Sequence, residues 1–549
     1  MTMAHAPEAA SPSGRQLLDQ VIAAVKSGDI PLACRLAPDA LAAGAEHPLL
    51  LNLRALGHEQ AGRFEAALAD LRRAHVLAPR DFSTLNACGL CLAKLNQHAE
   101  ALACFDQAVA LSAEFGPAWF NRGASLERLG ETAEAETSYA RAAEIHPQNA
   151  QAWANLAYLA ARRGDTEAAR AHGQRALDLQ PGLPTAEIAL AESEMGAPAL
   201  AETRLRAMLA RDLDHLNRGI ALSLLGDALD AQDRTAEAFA AYAKGNATLR
   251  EEFAPRFEAA HQETLPDTLR WLNRWAERLD ADRWKARAFS LSDTRAPGGH
   301  IFLLGFPRSG TTLMETVLAN HPDVVTLEER ETLQASVVDF MGDKIGLQRL
   351  ASEPDSALAA YREDYWRRVT DFGVETGGAI FVDKNPFNTL KLPLIYKLFP
   401  DAKIIFAQRD PRDVVFSCFR RRFNVNASTY EFLDLRRAAA NYSDTMRFAE
   451  TLRPKQALAE FRLVYEELIA DFEGVARSVC DFIGVDWRED LLDIAKRGRQ
   501  GNVASASSAQ IARGLYADGA GQWRRYREAL GPILPVLAPW VSRFGYPTG

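Results

Sequence analysis

Two patterns of apolar and polar positions divide the chain near residue 300. Up to about residue 250 the positions recur with a period of 34 residues, in a background rich in Ala, Leu, Arg and Glu. Gly28, Gly62, Gly130 and Gly164 stand in one column, with Asn96 at the missing step. Ala33, Ala67, Ala101, Ala135 and Ala169 form a second column, and Ala40, Ala74, Ala108, Ala142 and Ala176 a third. Pro79, Pro147 and Pro181 share a fourth, and Leu51, Leu85, Trp119 and Trp153 a fifth. From residue 300 the pattern becomes short apolar runs, "HIFLLGF", "AIFVDK", "AKIIFAQRD" and "AEFRLVYEEL", bounded by helical stretches. Strands alternating with helices predict an α/β domain with a mostly parallel sheet, whose ligands belong at the carboxyl ends of the strands.

Each column of the first half has a mechanical meaning. Glycine or asparagine permits the left-handed turn between two helices. The alanines let helix backbones approach closely, the proline ends the second helix of a unit, and the large apolar column fills the space between units. This set of columns resembles the tetratricopeptide repeat, over about five units from residue 15 to 182, with degenerate units through 250. The expected organisation is a flexible N-terminus at 1–14 and an α-helical repeat solenoid at 15–250. A helical connector at 251–296, closing on "SDTRAPGG", and an α/β domain at 297–549 complete it. By family analogy the solenoid offers a concave surface to a peptide or protein partner. The alternative is an array that rigidifies or dimerises the protein, and a homodimer is compatible with the sequence.

Composition narrows the picture. A chain of 549 residues exceeds one hydrophobic core, so two or more domains are expected. The net charge of −9 argues against a general nucleic-acid binder and requires any anion site to be a local basic cluster. Six cysteines show no disulfide-scaffold spacing, and the single CxxC pair, Cys88 and Cys91, has no second ligand pair nearby for a zinc site. No metal is expected. The N-terminal letters lack a signal-peptide pattern, and no apolar run approaches a membrane span. A cytoplasmic protein with no membrane or nucleic-acid partner is therefore expected.

The chemistry concentrates at "IFLLGFPRSGTTLME", 301–315. A strand, a loop with glycine at both ends and a helix make an anion cradle, in which backbone N–H groups and the helix N-terminus converge on one oxyanion. Thr311 stands where a nucleoside-triphosphatase loop has its lysine, which weakens a kinase reading. Arg308, inside the loop, supplies the cation, and its planar fork suits a tetrahedral oxyanion. A second cluster follows in "IIFAQRDPRDVVFSCFRRR", 404–422: Arg409 at a strand end, Ser417 on the next helix, and Arg421 four residues later on the same helical face. Together they would clamp a phosphate monoester.

"GFPRSGTTLME" resembles the 5′-phosphosulfate loop of sulfotransferases that use 3′-phosphoadenosine 5′-phosphosulfate (PAPS), and 404–422 resembles their 3′-phosphate segment. The likeness covers about 297–549 and is greatest to tyrosylprotein sulfotransferases, through "NHPDVVTLEERETL", "VDKNPFNTLKLPLIYKLFPDAKIIF", "FRLVYEELI" and "SASSAQIARG". The resemblance implies a P-loop-like sulfotransferase fold, PAPS as co-substrate and a hydroxyl acceptor, tyrosine of a peptide or protein. It implies Glu329 as general base, Lys384 with Arg308 as cations at the bridging oxygen, and Ser507 (or its neighbour Ser508) at the transferring group. Pro307, Arg308, Ser309, Gly310, Thr311, Thr312, Arg409, Ser417, Arg421 and Tyr465 would bind the donor. Arg330 and Glu331 depart from the family's Thr-Arg beside the acceptor. By themselves, Glu328 and Glu329 read as an acidic pair starting a helix, Lys384 as a strand-end lysine in solvent, Tyr465 as a core residue, and His321 as a helix cap. Competing functions are a sulfotransferase acting on a glycan, lipid or small phenol, a non-catalytic repeat adaptor, and a magnesium- and ATP-dependent nucleotide kinase.

Overall fold

The computed structural model describes residues 11–259, 263–284, 297–493 and 519–548. They form two compact units, one holding residues up to 161 with 166–190, the other 162–165 and 191 onward. The first is a helical solenoid. Its helices come in pairs joined by short turns, as in Pro48–Gln60 with Phe64–Leu77 and Gly116–Leu129 with Thr132–Ile145. Every member of the turn column adopts the left-handed conformation, with φ of 78° at Gly28, 70° at Gly62, 60° at Asn96, 84° at Gly130 and 83° at Gly164. Both alanine columns are at most 1% exposed. Pro79 and Pro147 follow directly on helix ends. Trp119 and Trp153 are only half-buried. Their indole N–H groups donate to Ala113 O (2.9 Å) and Pro147 O (3.1 Å), equivalent carbonyls one repeat apart. Cys88 and Cys91 are buried in helix Phe82–Lys94, where burial pushes both thiols up to about 12.

The second unit contains a five-stranded parallel sheet, β1 (Gly299–Gly305), β2 (Val324–Glu328), β3 (Ile380–Lys384), β4 (Lys403–Gln408) and β5 (Glu460–Val464), in the order β2-β3-β1-β4-β5. Four of these strands match the apolar runs of the sequence. β2 is the fifth, an edge strand whose letters "VVTLE" alternate too weakly to mark it. Ile301 and Leu303 face helices Thr311–Leu318 and Phe472–Ile483, through Met314, Val317, Ala476 and Val479. Phe302 faces the other way, against Tyr365 and Phe399 at ring distances of 6.1 and 5.7 Å. With both faces covered, the central strands read as unbroken apolar runs. Helices Pro198–Leu209, His215–Asp230 and Thr235–Phe257, in the style of the repeats, belong to this second unit. Among the described residues no helix is long and apolar enough to cross a membrane.

Candidate active site

Parallel register brings all five strand ends to one edge of the sheet. β1 ends in Gly305, β2 in Glu328, β3 in Lys384, β4 in Gln408 before Arg409, and β5 in Val464 before Tyr465. β1 lies between β3 and β4, so the chain leaves this edge toward both sides of the crevice where α/β sheets bind ligands.

The loop after β1 is tightly held. A Cβ on Gly305 would lie 2.6 Å from the carbonyl oxygen of Ala407, so only glycine fits against β4. The Thr389 hydroxyl donates to Gly305 O (2.6 Å) and accepts from Gly305 N (3.1 Å). Arg308 has a φ of 73°, a left-handed conformation that non-glycine residues rarely adopt. Gly310 caps helix Thr311–Leu318 at φ 98°, and its missing Cβ would meet the Tyr465 ring at 2.7 Å. Pro307, Ser309, Thr311 and Thr312 are buried around the turn.

Lys384 ties this loop to the acidic pair. Its ammonium is fully buried and donates to Glu328 Oε1 (2.9 Å) and Glu329 Oε1 (2.8 Å), with Thr312 Oγ1 at 3.4 Å. Burial pulls its pKa down, but Glu329, Glu328 and Glu315 outweigh that and hold it above the ordinary lysine range. The solvent-exposed reading of this lysine is thereby excluded. So is the helix-start reading of the pair: Glu328 ends β2, and Glu329 occupies a left-handed turn at φ 50°. That turn is fastened to β3. Glu329 N donates to Lys384 O (2.7 Å), Thr332 Oγ1 to Asp383 Oδ2 (2.8 Å), and Asn385 Nδ2 to Arg330 O (3.4 Å). Tyr365 also donates to Asp383 Oδ2 (2.9 Å). Burial pushes Asp383 up to about 6, against the hydrogen bonds from Thr332 and Tyr365.

The second cluster meets the first through Arg308, whose Nε donates to Ser417 Oγ (3.0 Å). Arg409 Nη1 donates to Arg308 O (3.0 Å), its Nη2 to Gly519 O, and its guanidinium lies 4.5 Å from the centre of the half-buried Tyr465 ring. Burial and the guanidinium groups of Arg421 and Arg409 pull Arg308 down to about 9. The helix carrying Ser417 spans Pro411–Arg420, so Arg421 is its C-cap and not a residue of the helix body. Arg421 is the first residue beyond, extended at φ −90°, with its N–H still bonded to Ser417 O (3.2 Å). The helix ends one residue before the four-residue spacing completes. Arg409 Nε and Arg421 Nε are buried with no hydrogen-bond partner among the described residues. Three crowded guanidinium groups with two such donors fit an anionic ligand that bears phosphate groups. His321 is buried, accepting from Asp323 N (3.1 Å) at Nδ1 and contacting Asp486 O (2.9 Å) through Nε2. Ser507 and Ser508 lie outside the described residues. Asp383, Thr389 and Thr332 were not singled out by the sequence, although "DKNPFNT" holds two of them around Lys384.

Residues 300–489 match the family model described as Sulfotransferase family, and 89–150 and 125–184 match a Tetratricopeptide repeat model. The chain carries tetratricopeptide repeats and a sulfotransferase-family domain. Among similar proteins, protein-tyrosine sulfotransferase 1 of Danio rerio is 25% identical over 263 residues, 45% of this chain and 72% of that protein. Its Homo sapiens counterpart is 24% identical over 273 residues, 45% of this chain and 69% of its own. An uncharacterized protein of Aquifex aeolicus (strain VF5) is 30% identical over 250 residues, 43% of this chain. The chain spans 32% of the length of that relative. The matched segment includes the candidate site residues from Gly305 to Tyr465, and stops short of Ser507 and Ser508.

Proposed function

We propose that the protein transfers a sulfuryl group from PAPS to a hydroxyl, that of tyrosine in a peptide or protein recruited by the repeats. The observation that carries this reading is the placement of Lys384, buried between the anion loop and the acidic pair. One ammonium reaches both the loop that would hold the transferring group and the carboxylate that would take the acceptor proton. The repeats and the named tyrosine-sulfating relatives support the acceptor class.

Sulfuryl transfer resembles phosphoryl transfer, with a loose transition state and attacking and leaving oxygens in line. Catalysis then rests on position, charge and one proton. In this reading the loop N–H groups, Thr311 and Thr312 hold the 5′-phosphosulfate, and Arg308 and Lys384 neutralise charge on the leaving oxygen. Arg409, Ser417 and Arg421 hold the 3′-phosphate, and Tyr465 packs beside them. Glu329, with 40% of its side chain exposed, is reachable by an acceptor, whereas Glu328 is 15% exposed. When Glu329 takes the proton and loses its charge, Glu328 keeps Lys384 in place. A phenol with a pKa of about 10 gives up its proton to a carboxylate more readily than an alkyl alcohol does.

Incubation with sulfur-labelled PAPS and tyrosine-containing peptides, followed by mass spectrometry, tests the proposal. Labelled peptide is expected from the wild type and none from Arg308→Ala. Label found only on sugars, lipids or small phenols would refute the peptide acceptor. No label on any acceptor would refute the transferase reading.

A further inference from the structure

Helix 411–420, which carries Ser417, and segment 519–526 face the candidate donor site from one side, and both are fastened to a single carboxylate, Asp230. This residue ends helix His215–Asp230, written in the style of the repeats and 190 residues before the helix it holds. Its Oδ2 accepts from Arg420 Nη1 (3.1 Å). Its Oδ1 accepts from Arg525 Nη1 (2.7 Å) and from the Tyr526 hydroxyl (2.6 Å), and its carbonyl from Arg525 Nη2 (3.2 Å). Arg420 also donates to Gln522 Oε1, so the two segments are tied to each other as well as to Asp230. Arg420 immediately precedes Arg421 and lies one turn beyond Ser417. On the other segment, Gly519 O accepts from Arg409, and Asp413 of the helix accepts from the N–H groups of Gly521 (2.6 Å) and Trp523 (2.8 Å). Phe419 O accepts from Asn246 Nδ2 (2.7 Å) on the neighbouring helix 235–257, and Phe239 stacks on the Phe419 ring at 5.6 Å.

We infer that Asp230 is a positioning residue for the 3′-phosphate end of the donor, an inference that rests on the sulfotransferase reading above. It touches no candidate donor ligand directly. It acts through Arg420, which fixes the end of helix 411–420 and hence Ser417 and Arg421, and through the 519–526 segment, which fixes Arg409. The repeat-style helices after residue 191 therefore set donor recognition, as well as any role they have in partner binding.

The test compares two nucleotides, adenosine 3′,5′-bisphosphate and adenosine 5′-phosphosulfate, the second lacking the 3′-phosphate. Binding of each to the full-length protein is measured calorimetrically, together with donor KM and kcat. Asp230→Asn is expected to weaken the bisphosphate by about tenfold or more and to change the phosphosulfate by less than about twofold, because only the 3′ clamp is displaced. Donor KM rises while kcat at saturating donor is retained. Tyr526→Phe, which removes one hydrogen bond and keeps the ring against Phe416 (4.3 Å), is expected to show the same selectivity at smaller size. It supplies the comparison should Asp230→Asn fail to fold. Equal weakening of both nucleotides in a folded variant, or no weakening of either, overturns the inference. A wild type that binds neither nucleotide overturns the donor assignment and this inference with it.

Discussion

Asp383→Asn should change the pH dependence of stability by a calculable amount. Asp383 is fully buried beside Lys384 and is pushed up to about 6, with burial the largest cause. In the unfolded chain an aspartate titrates near 3.9. The folded state therefore holds the proton more tightly, and the stability this supplies is complete below pH ~4 and lost as pH rises through about 6. The full difference is roughly 3 kcal/mol, of which about 2 kcal/mol falls between pH 4.5 and 7.5. Asparagine stays neutral throughout. Its carbonyl can accept from Thr332 and Tyr365. A flip of Asn388, whose Nδ2 donates to Asp383 Oδ1 (3.4 Å) and whose Oδ1 is buried without a partner among the described residues, would let that Oδ1 accept from the new amide. The variant should thus gain about 2 kcal/mol on the wild type between those two pH values. Equilibrium urea unfolding, followed by tryptophan fluorescence, measures this; Trp366 lies 5.0 Å from Tyr365. A stability difference independent of pH, or a wild type that gains on the variant as pH rises, would refute the reasoning.

Lys384→Met should abolish sulfuryl transfer and lower stability by about 3–5 kcal/mol, because it removes the buried ammonium that holds Glu328 and Glu329 together. The more exposed Glu329 contributes less than about 1 kcal/mol of that, and urea titration reads the sum. Glu329→Gln should reduce kcat by about 10²–10⁴-fold in steady-state assays while leaving donor binding intact, since Glu328 still holds Lys384. Gly310→Ala places a methyl 2.7 Å from the Tyr465 ring at φ 98°. It should cost about 1–3 kcal/mol in thermal unfolding and weaken donor binding, the two effects arising together.

The repeats were legible because their columns are local. A left-handed turn at Gly62 or a contact at Ala67 is decided within one helix pair, and each repeats the same solution. The anion loop was legible for the same reason, since strand, turn and helix occupy fifteen consecutive letters of "IFLLGFPRSGTTLME". Glu329 illustrates the opposite case. Its left-handed turn is imposed by hydrogen bonds to Lys384, Asp383 and Asn385, some 50 residues away, and no local preference of "LEERE" announces it. Arg421 was placed on the right segment, but the end of its helix depends on what holds Arg420. The partner is Asp230, 190 residues earlier, in sequence that reads as a worn repeat. Asp383 looks like an ordinary strand-end acid until the buried hydroxyls of Tyr365 and Thr332 are placed on its carboxylate.

The packing of residues 191–257 against helix 411–420 and segment 519–526 bears on how such a chain can be rearranged by gene fusion. A shortened protein beginning at residue 297 would leave Arg420 and Arg422 without Asp230 and Glu192, and would bare the rings of Phe419 and Tyr526. The heritable sulfotransferase-family unit is therefore longer than its motif, reaching back to about residue 191. An ancestral crossover inside that stretch would have separated Arg420 and Arg525 from the carboxylate that holds them. The worn helices persist as an integral part of the sulfotransferase-family unit.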